Sequence, residues 1–241
     1  MLSDILLSSL NSQTCQYELI LIDNTEGIFK SAAQALNYGG KKARGDFILF
    51  VHQDISIDED DWLERTECIL KSLKNLGIAG IVGMSSNGKN FKDRWRGYVW
   101  SGDEIWPWCK PIESPVEVQT LDECLLIIPR NVFIRLQFDE KTFDGWHCYG
   151  IDYCLNVTRL GLKAYTLPGT HHHYSLSTNV KNLSQYQKRL LSKHKSNYKV
   201  IFTTCGEISA LYLPILFLKN KFIEKKWFMP FYKFGMRRKI I

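Results

Sequence analysis

Three short apolar runs constrain this chain most: YELILID at 17–23, GDFILFV at 45–51 and GIAGIVG at 77–83. Each is too short and too evenly apolar for an amphipathic helix, and reads as a strand buried on both faces. Between them lie segments of helical pattern. One covers 28–43; another starts at Asp60 and sets Trp62, Thr66, Ile69, Leu70 and Leu73 on one face. A further stripe of Leu2, Ile5, Leu6 and Leu10 precedes the first run. Strand, helix, strand, helix, strand at this spacing predicts an α/β fold, a mostly parallel sheet with helices on both faces.

From Met84 to Pro115 the periodicity lapses into a long loop or insertion carrying Trp95, Trp100, Trp106 and Trp108. Tryptophans in such a segment read either as a sugar- or ring-binding surface or as a small satellite core. Regular pattern returns in PVEVQTLDECLLIIPRNVF (115–133), two strand-like runs and a helix start. A helix from about Ile151 to Leu160, the strand KAYTLP and a polar helix over about 182–198 follow. The expected organisation is one domain over 1–180 and a C-terminal helical extension with a basic aromatic tail over 181–241.

Charge is unevenly placed. The net charge of +6 lies in the tail, because Lys219–Ile241 holds eight basic residues and one acidic, and the rest of the chain is close to neutral. That tail interleaves its cations with Phe222, Trp227, Phe228, Phe231, Tyr232 and Phe234. This pattern reads as a membrane-surface anchor or as a solvated extension packing some rings on the body. The apolar run at 208–218 is too short to span a bilayer. No other basic patch argues for nucleic acid. The seven scattered cysteines form no CxxC pair and no secretory leader is evident, which predicts reduced thiols and a cytoplasmic protein, peripheral on the membrane if the tail anchors it.

In a parallel sheet with crossover helices, ligands bind beyond the C-terminal strand ends. Three polar clusters fall there: Asp23 and Asn24, His52 to Asp54, and His171 to His173. A carboxylate beside imidazoles suits a divalent cation, and a cation in that crevice suits a phosphate-bearing substrate. On an extended chain at most two of the three histidines share a face.

The segments ELILIDN, ALNYGGKKARGDFILFVHQDI and FDGWHCYGIDYCLNVTRLGLKAYTLP, followed by histidines, resemble the inverting family two glycosyltransferases of GT-A fold. The resemblance covers about residues 2–175 and is closest to the branch with His-Gln-Asp in place of Asp-x-Asp. It implies transfer of a sugar from a nucleotide diphosphate sugar, a UDP-sugar foremost, to a glycan or lipid-linked acceptor, assisted by Mg²⁺ or Mn²⁺. Carried over by position, Asp23, Asn24 and His52 would bind the nucleotide, Asp54 and His173 the metal. Asp152 would be the general base, while Asp122, Glu123, Trp146 and His147 would lie near the donor sugar and acceptor. Asn37 and Gly39 match a segment of structural rather than catalytic role. The family ordinarily begins with one more central strand before the helix at 2–11. Three readings follow: a start further upstream, another segment in that place, or a copy with weakened donor binding. The rival functions are a metal-dependent phosphohydrolase or nucleotidyltransferase, and a non-catalytic binder of nucleotide sugars.

Overall fold

A computed structural model describes residues 5–101, 104–105, 111–174 and 182–210. The chain opens with α1 (Leu6–Asn11), α2 (Ala32–Lys42), β1 (Phe47–Val51), β2 (Ile55–Ile57), α3 (Trp62–Ser72), β3 (Leu76–Gly80) and β4 (Val82–Met84). Short elements follow: α4 (Phe91–Arg94), β5 (Trp95–Gly97), β6 (Trp100–Ser101), β7 (Glu104–Ile105), β8 (Val116–Val118) and β9 (Thr120–Leu121). Then come β10 (Leu125–Pro129), α5 (Arg130–Arg135), α6 (Tyr149–Arg159), β11 (Lys163–Thr166), β12 (His171–His173), α7 (Leu183–His194), β13 (Ile201–Thr203) and β14 (Gly206–Ile208).

The central sheet has the order β1-β10-β3-β11-β8. β1, β3 and β11 share one direction, while β10 and β8 run against their neighbours. β10 lies between β1 and β3, and Leu125 to Ile128 are all fully buried, as an apolar run covered on both faces must be. α2, α5, α6 and α7 cover one face through Ala33, Phe133, Tyr153, Leu155 and Leu190. α1 and α3 cover the other through Leu6, Leu10, Trp62 and Leu70. The expected α/β architecture with helices on both faces is therefore present.

One expectation meets a different outcome. YELILID forms no strand: 17–23 carries no regular secondary structure, with Leu19 51% and Leu21 60% exposed. It lies along α2 instead, where Glu18 accepts hydrogen bonds from Arg44 N–H and Nε, and the Ile22 side chain comes within 3.2 Å of where a Gly39 Cβ would stand. β1 pairs only on its other side: Arg130 N–H donates to Asp46 O and His52 N–H donates to Cys124 O, so the even-numbered positions of this stretch bond to β10 and the backbone groups of Phe47, Leu49 and Val51 face the open edge. No strand among the described residues pairs there. The extension that begins after residue 180 packs on the main body, since Leu183, Tyr186, Leu190, Ile201 and Ile208 join the main cluster. Of the four tryptophans, Trp95 is core, 2% exposed in the second cluster, and Trp106 and Trp108 lie outside the described residues, as does the basic aromatic tail.

Asn37 has a structural role, as its sequence context implies. Buried in α2, it donates to Phe138 O at 2.9 Å and to Glu140 Oε1 at 2.7 Å, and accepts from Phe138 N–H at 3.0 Å. Asn37→Ala would strand both backbone groups of Phe138, at a cost of about 2–3 kcal/mol. The expected result is a fall in Tm of roughly 5–10 °C, measurable by thermal denaturation, with cation binding at the site described next unchanged.

Candidate active site

His52, Gln53 and Asp54 form the turn between β1 and β2, closed by Ile55 N–H donating to His52 O at 3.2 Å. β12 pairs antiparallel with β2, opposing His173 to Ile55 and His171 to Ile57, and Tyr174 N–H donates to Asp54 O at 2.9 Å. This ladder carries His173 across 119 residues of sequence to the side of Asp54, leaving Nε2 3.4 Å from Oδ1. One potential ligand atom each from His52, Asp54 and His173 falls within 4.8 Å of the others.

The three histidines have separate fates. His171 is fully buried against Trp62, edge to face at 4.7 Å, and burial pushes its imidazole down to about 3. His172 faces the other way and stacks on Tyr174 at 4.0 Å. His173 alone joins the site. Burial lowers its pKa, yet the hydrogen bond and charge of Asp54 outweigh that and raise it. Burial would raise Asp54 in turn, but His173 and His52 hold it below its ordinary value. The His52 ring is held below its usual value by loss of surrounding solvent and then by His173, although the residue as a whole is exposed.

Two imidazoles and a carboxylate fit a divalent cation, and the fit is visible in one atom: His173 Nε2 is buried, with only the 3.4 Å approach of Asp54 Oδ1 to answer it. Beside this triad stands one more carboxylate, and a second lies against the start of α6. Asp122 accepts from Cys124 N–H at 3.1 Å and from the Thr204 hydroxyl at 2.6 Å, and its charge acts on both His52 and His173. Glu123 accepts from Gly150 N–H at 2.7 Å at the start of α6. The Tyr149 hydroxyl closes the group, 3.4 Å from His52 Nε2.

The remaining expected residues are spread. Asp23 is exposed, accepts from the Thr25 N–H and hydroxyl, and is held low by those bonds. Asn24 bridges to Phe29 N–H and O. Both shape a local turn, and no described hydrogen bond or ion pair joins them to the triad. Trp146 is 53% exposed, and His147 lies 6.0 Å from the Tyr186 ring. Asp152 is 1% exposed: Lys193 Nζ reaches both its oxygens at 2.8 and 2.9 Å, His194 Nε2 lies 2.7 Å from Oδ1, and Asn156 Nδ2 donates at 2.9 Å. A carboxylate so enclosed anchors α6 to α7. Sequence reasoning missed Tyr149, although it stands in the YGID motif, and missed Thr204, Lys193 and His194, which no local signal connects to the site.

The fold is of the α/β class, and His52, Asp54 and His173 form a group that could hold a divalent cation. Residues 7–198 match the glycosyltransferase like family, and the chain belongs to it. A Fuscovulum blasticum protein named "ATP synthase subunits region ORF 6" is 25% identical over 199 residues, covering 74% of this chain and 71% of that protein. Among solved structures the chain is similar to GalNAc-T7 with UDP, GalNAc and Mn²⁺ (TM-score 0.46, 15% identity, 68% of this chain and 34% of that one). It is also similar to the mannosyltransferase PcManGT from Pyrobaculum calidifontis with GDP-Man and Mn²⁺ (TM-score 0.47, 14% identity, 80% and 49%). The chain thus spans about a third of the first and about half of the second.

Two predictions follow from this geometry. Nitrogen donors suit a divalent transition ion better than Mg²⁺, which favours oxygen ligands. Mn²⁺, followed by the enhancement of water-proton relaxation, is therefore expected to bind the wild type more tightly than Mg²⁺ competes for it. Asp54→Ala and His173→Ala should lose that binding, and Asp23→Ala should keep it. Removing Asp152 leaves Lys193 and His194 without their shared partner; Asp152→Ala is expected to cost roughly 3–5 kcal/mol of stability in denaturant unfolding while Mn²⁺ binding persists.

Proposed function

We propose that the protein transfers a sugar, with inversion at the anomeric carbon, from a nucleotide diphosphate sugar to a hydroxyl of a glycan or lipid-linked acceptor. The observation that carries this reading is the triad of His52, Asp54 and His173 set beside Asp122, in a chain that belongs to a glycosyltransferase like family. Inverting transfer needs a carboxylate to take the acceptor proton and a group to offset charge on the departing diphosphate. A divalent cation held by Asp54, His52 and His173 supplies that offset when bound.

The other residues take roles that their settings allow. Asp23, exposed and ionised, offers acceptor oxygens to the N–H groups of a base such as uracil. Trp146 offers an open ring face on which an acceptor sugar can stack. Asp122, tied down by Thr204 and Cys124, faces the donor. The composition of the tail supports an acceptor at a membrane surface, and no helix among the described residues is long and apolar enough to cross a membrane.

The experiment is a thermal-shift titration with UDP-glucose, UDP-galactose, UDP-N-acetylglucosamine and GDP-mannose, each with and without Mn²⁺, followed by assay for nucleotide diphosphate release. A ligand at a hundredfold its Kd stabilises the fold by about 2.7 kcal/mol. One sugar nucleotide is expected to raise Tm only with Mn²⁺ present, and Asp54→Ala should abolish that shift. Release of inorganic phosphate from these compounds, or a shift indifferent to Mn²⁺ and to Asp54, would count against the transferase.

A further inference from the structure

The segment WRGYVW (95–100) alternates strictly, with Trp95, Gly97 and Val99 buried and Arg96, Tyr98 and Trp100 half-buried. Trp95 and Val99 belong to the core, so the core accounts for the inward positions and leaves the outward rings unexplained. Tyr98 and Trp100 meet edge to face at 6.5 Å. Pairing of β6 with β12 sets Trp100 opposite His172, 6.2 Å from its ring, and His172 in turn stacks on Tyr174. An aromatic row therefore crosses this small sheet and ends at Tyr174, whose N–H donates to Asp54 O.

Tyr98 and Trp100 also line an open cleft of about 480 Å³, within the size range of small-ligand sites. Another part of its lining is the turn of Pro168, Gly169 and Thr170, which is fixed to the core where Trp62 Nε1 donates to Pro168 O at 3.1 Å. Gly169 sits at φ 145°, and a Cβ there would collide with Trp62, so this surface is bare backbone. The polar part of the lining is Glu59 and Arg65. Glu59 accepts from Thr170 N–H at 3.0 Å and pairs with Arg65, whose Nε lies 3.0 Å from Asp61 Oδ1.

That balance of groups selects the ligand. Among the described residues lining the cleft Arg65 is the one cation, and two carboxylates already claim it. A phosphate or an anionic lipid headgroup needs a cation with charge to spare, so neither suits the cleft. A neutral sugar needs flat rings against its C–H faces and fixed donors and acceptors for its hydroxyls. Trp100 and Tyr98 supply the rings. Glu59 supplies acceptor oxygens, and the Arg65 guanidinium has more N–H donors than its two carboxylate contacts use. The position suits a transferase as well. Thr170 precedes His173 of the cation triad by three residues of extended chain, roughly 10 Å at the rise of a strand, a length that a short oligosaccharide can bridge.

We propose that this cleft binds a neutral oligosaccharide, which is the acceptor in the transfer reaction proposed above. The acceptor role rests on that reaction, whereas the binding does not. The test is equilibrium binding of maltotetraose, cellotetraose, chitotetraose and mannotetraose to the whole chain, without nucleotide or metal, followed by tryptophan fluorescence and calorimetry. At least one is expected to bind and to shift the emission as Trp100 is covered. Trp100→Leu, which keeps apolar bulk beside His172, should weaken that binding by about 10-fold or more, and Arg65→Met should weaken it too. Trp100→Phe, which keeps a ring, should recover most of the affinity. All three variants should retain Mn²⁺ binding and the Mn²⁺-dependent thermal shift with a sugar nucleotide, which a merely structural role for these residues would not allow. Affinity unchanged in both Trp100→Leu and Arg65→Met would overturn the inference, as would no binding of any of the four sugars up to about 10 mM. Loss of the sugar-nucleotide shift in Trp100→Leu would also overturn it, by making the cleft part of the donor site. If saccharide binding follows these variants while no sugar nucleotide shifts the wild type, the carbohydrate site stands and its acceptor role falls with the transferase reading.

Discussion

β10 is the element on which the remainder of the structure depends. Its four consecutive fully buried residues, Leu125 to Ile128, pair with β1 on one side and β3 on the other, so the strand ties the two halves of the sheet together. Immediately before it come Asp122 and Glu123, and Cys124 O receives His52 N–H. The pairing that builds the core thus also sets Asp122 near His52. Polar groups emerging from so apolar a strand are placed by the packing behind them, and a core residue here cannot shift without moving the site.

A second constraint works through charge. Asp152, Lys193, His194 and Asp139 join α6 to α7, with Lys193 shared between the two aspartates at 2.8 Å each. Taking these groups out of water is costly, and such a network is a weak source of net stability. Its value is geometric. Bonds of fixed direction between Asp152 and two residues of α7 set the rotation of α6, and that rotation decides where Tyr149 and Gly150 present themselves to His52 and Glu123.

Much of this could be read from local pattern. β1, α3, β3, α6 and β11 fall close to where periodicity puts them, because each buries a face whose period is written in its own residues. The parity of an extended chain already implied that the three histidines could not act together. YELILID was misread for the complementary reason. Its residues favour a strand, but a strand exists only with a ladder partner, and its neighbours in sequence carry no information about one. Asp152 likewise satisfies every local expectation of a helix-start acid, and its enclosure depends on residues about 40 positions away. Glu123 offers no local sign of its task, since the amide it caps belongs to another element.

The charge balance of the site argues for an order of events. Asp54 and Asp122 bring negative charge, Glu123 adds a third carboxyl, and His52 is held toward its neutral form. Among the described residues no lysine or arginine forms an ion pair with Asp54 or Asp122. A diphosphate carries its own negative charge and would meet repulsion strengthened by the partly buried setting. A cation held by His52, Asp54 and His173 would offset that charge before a donor of the proposed kind binds.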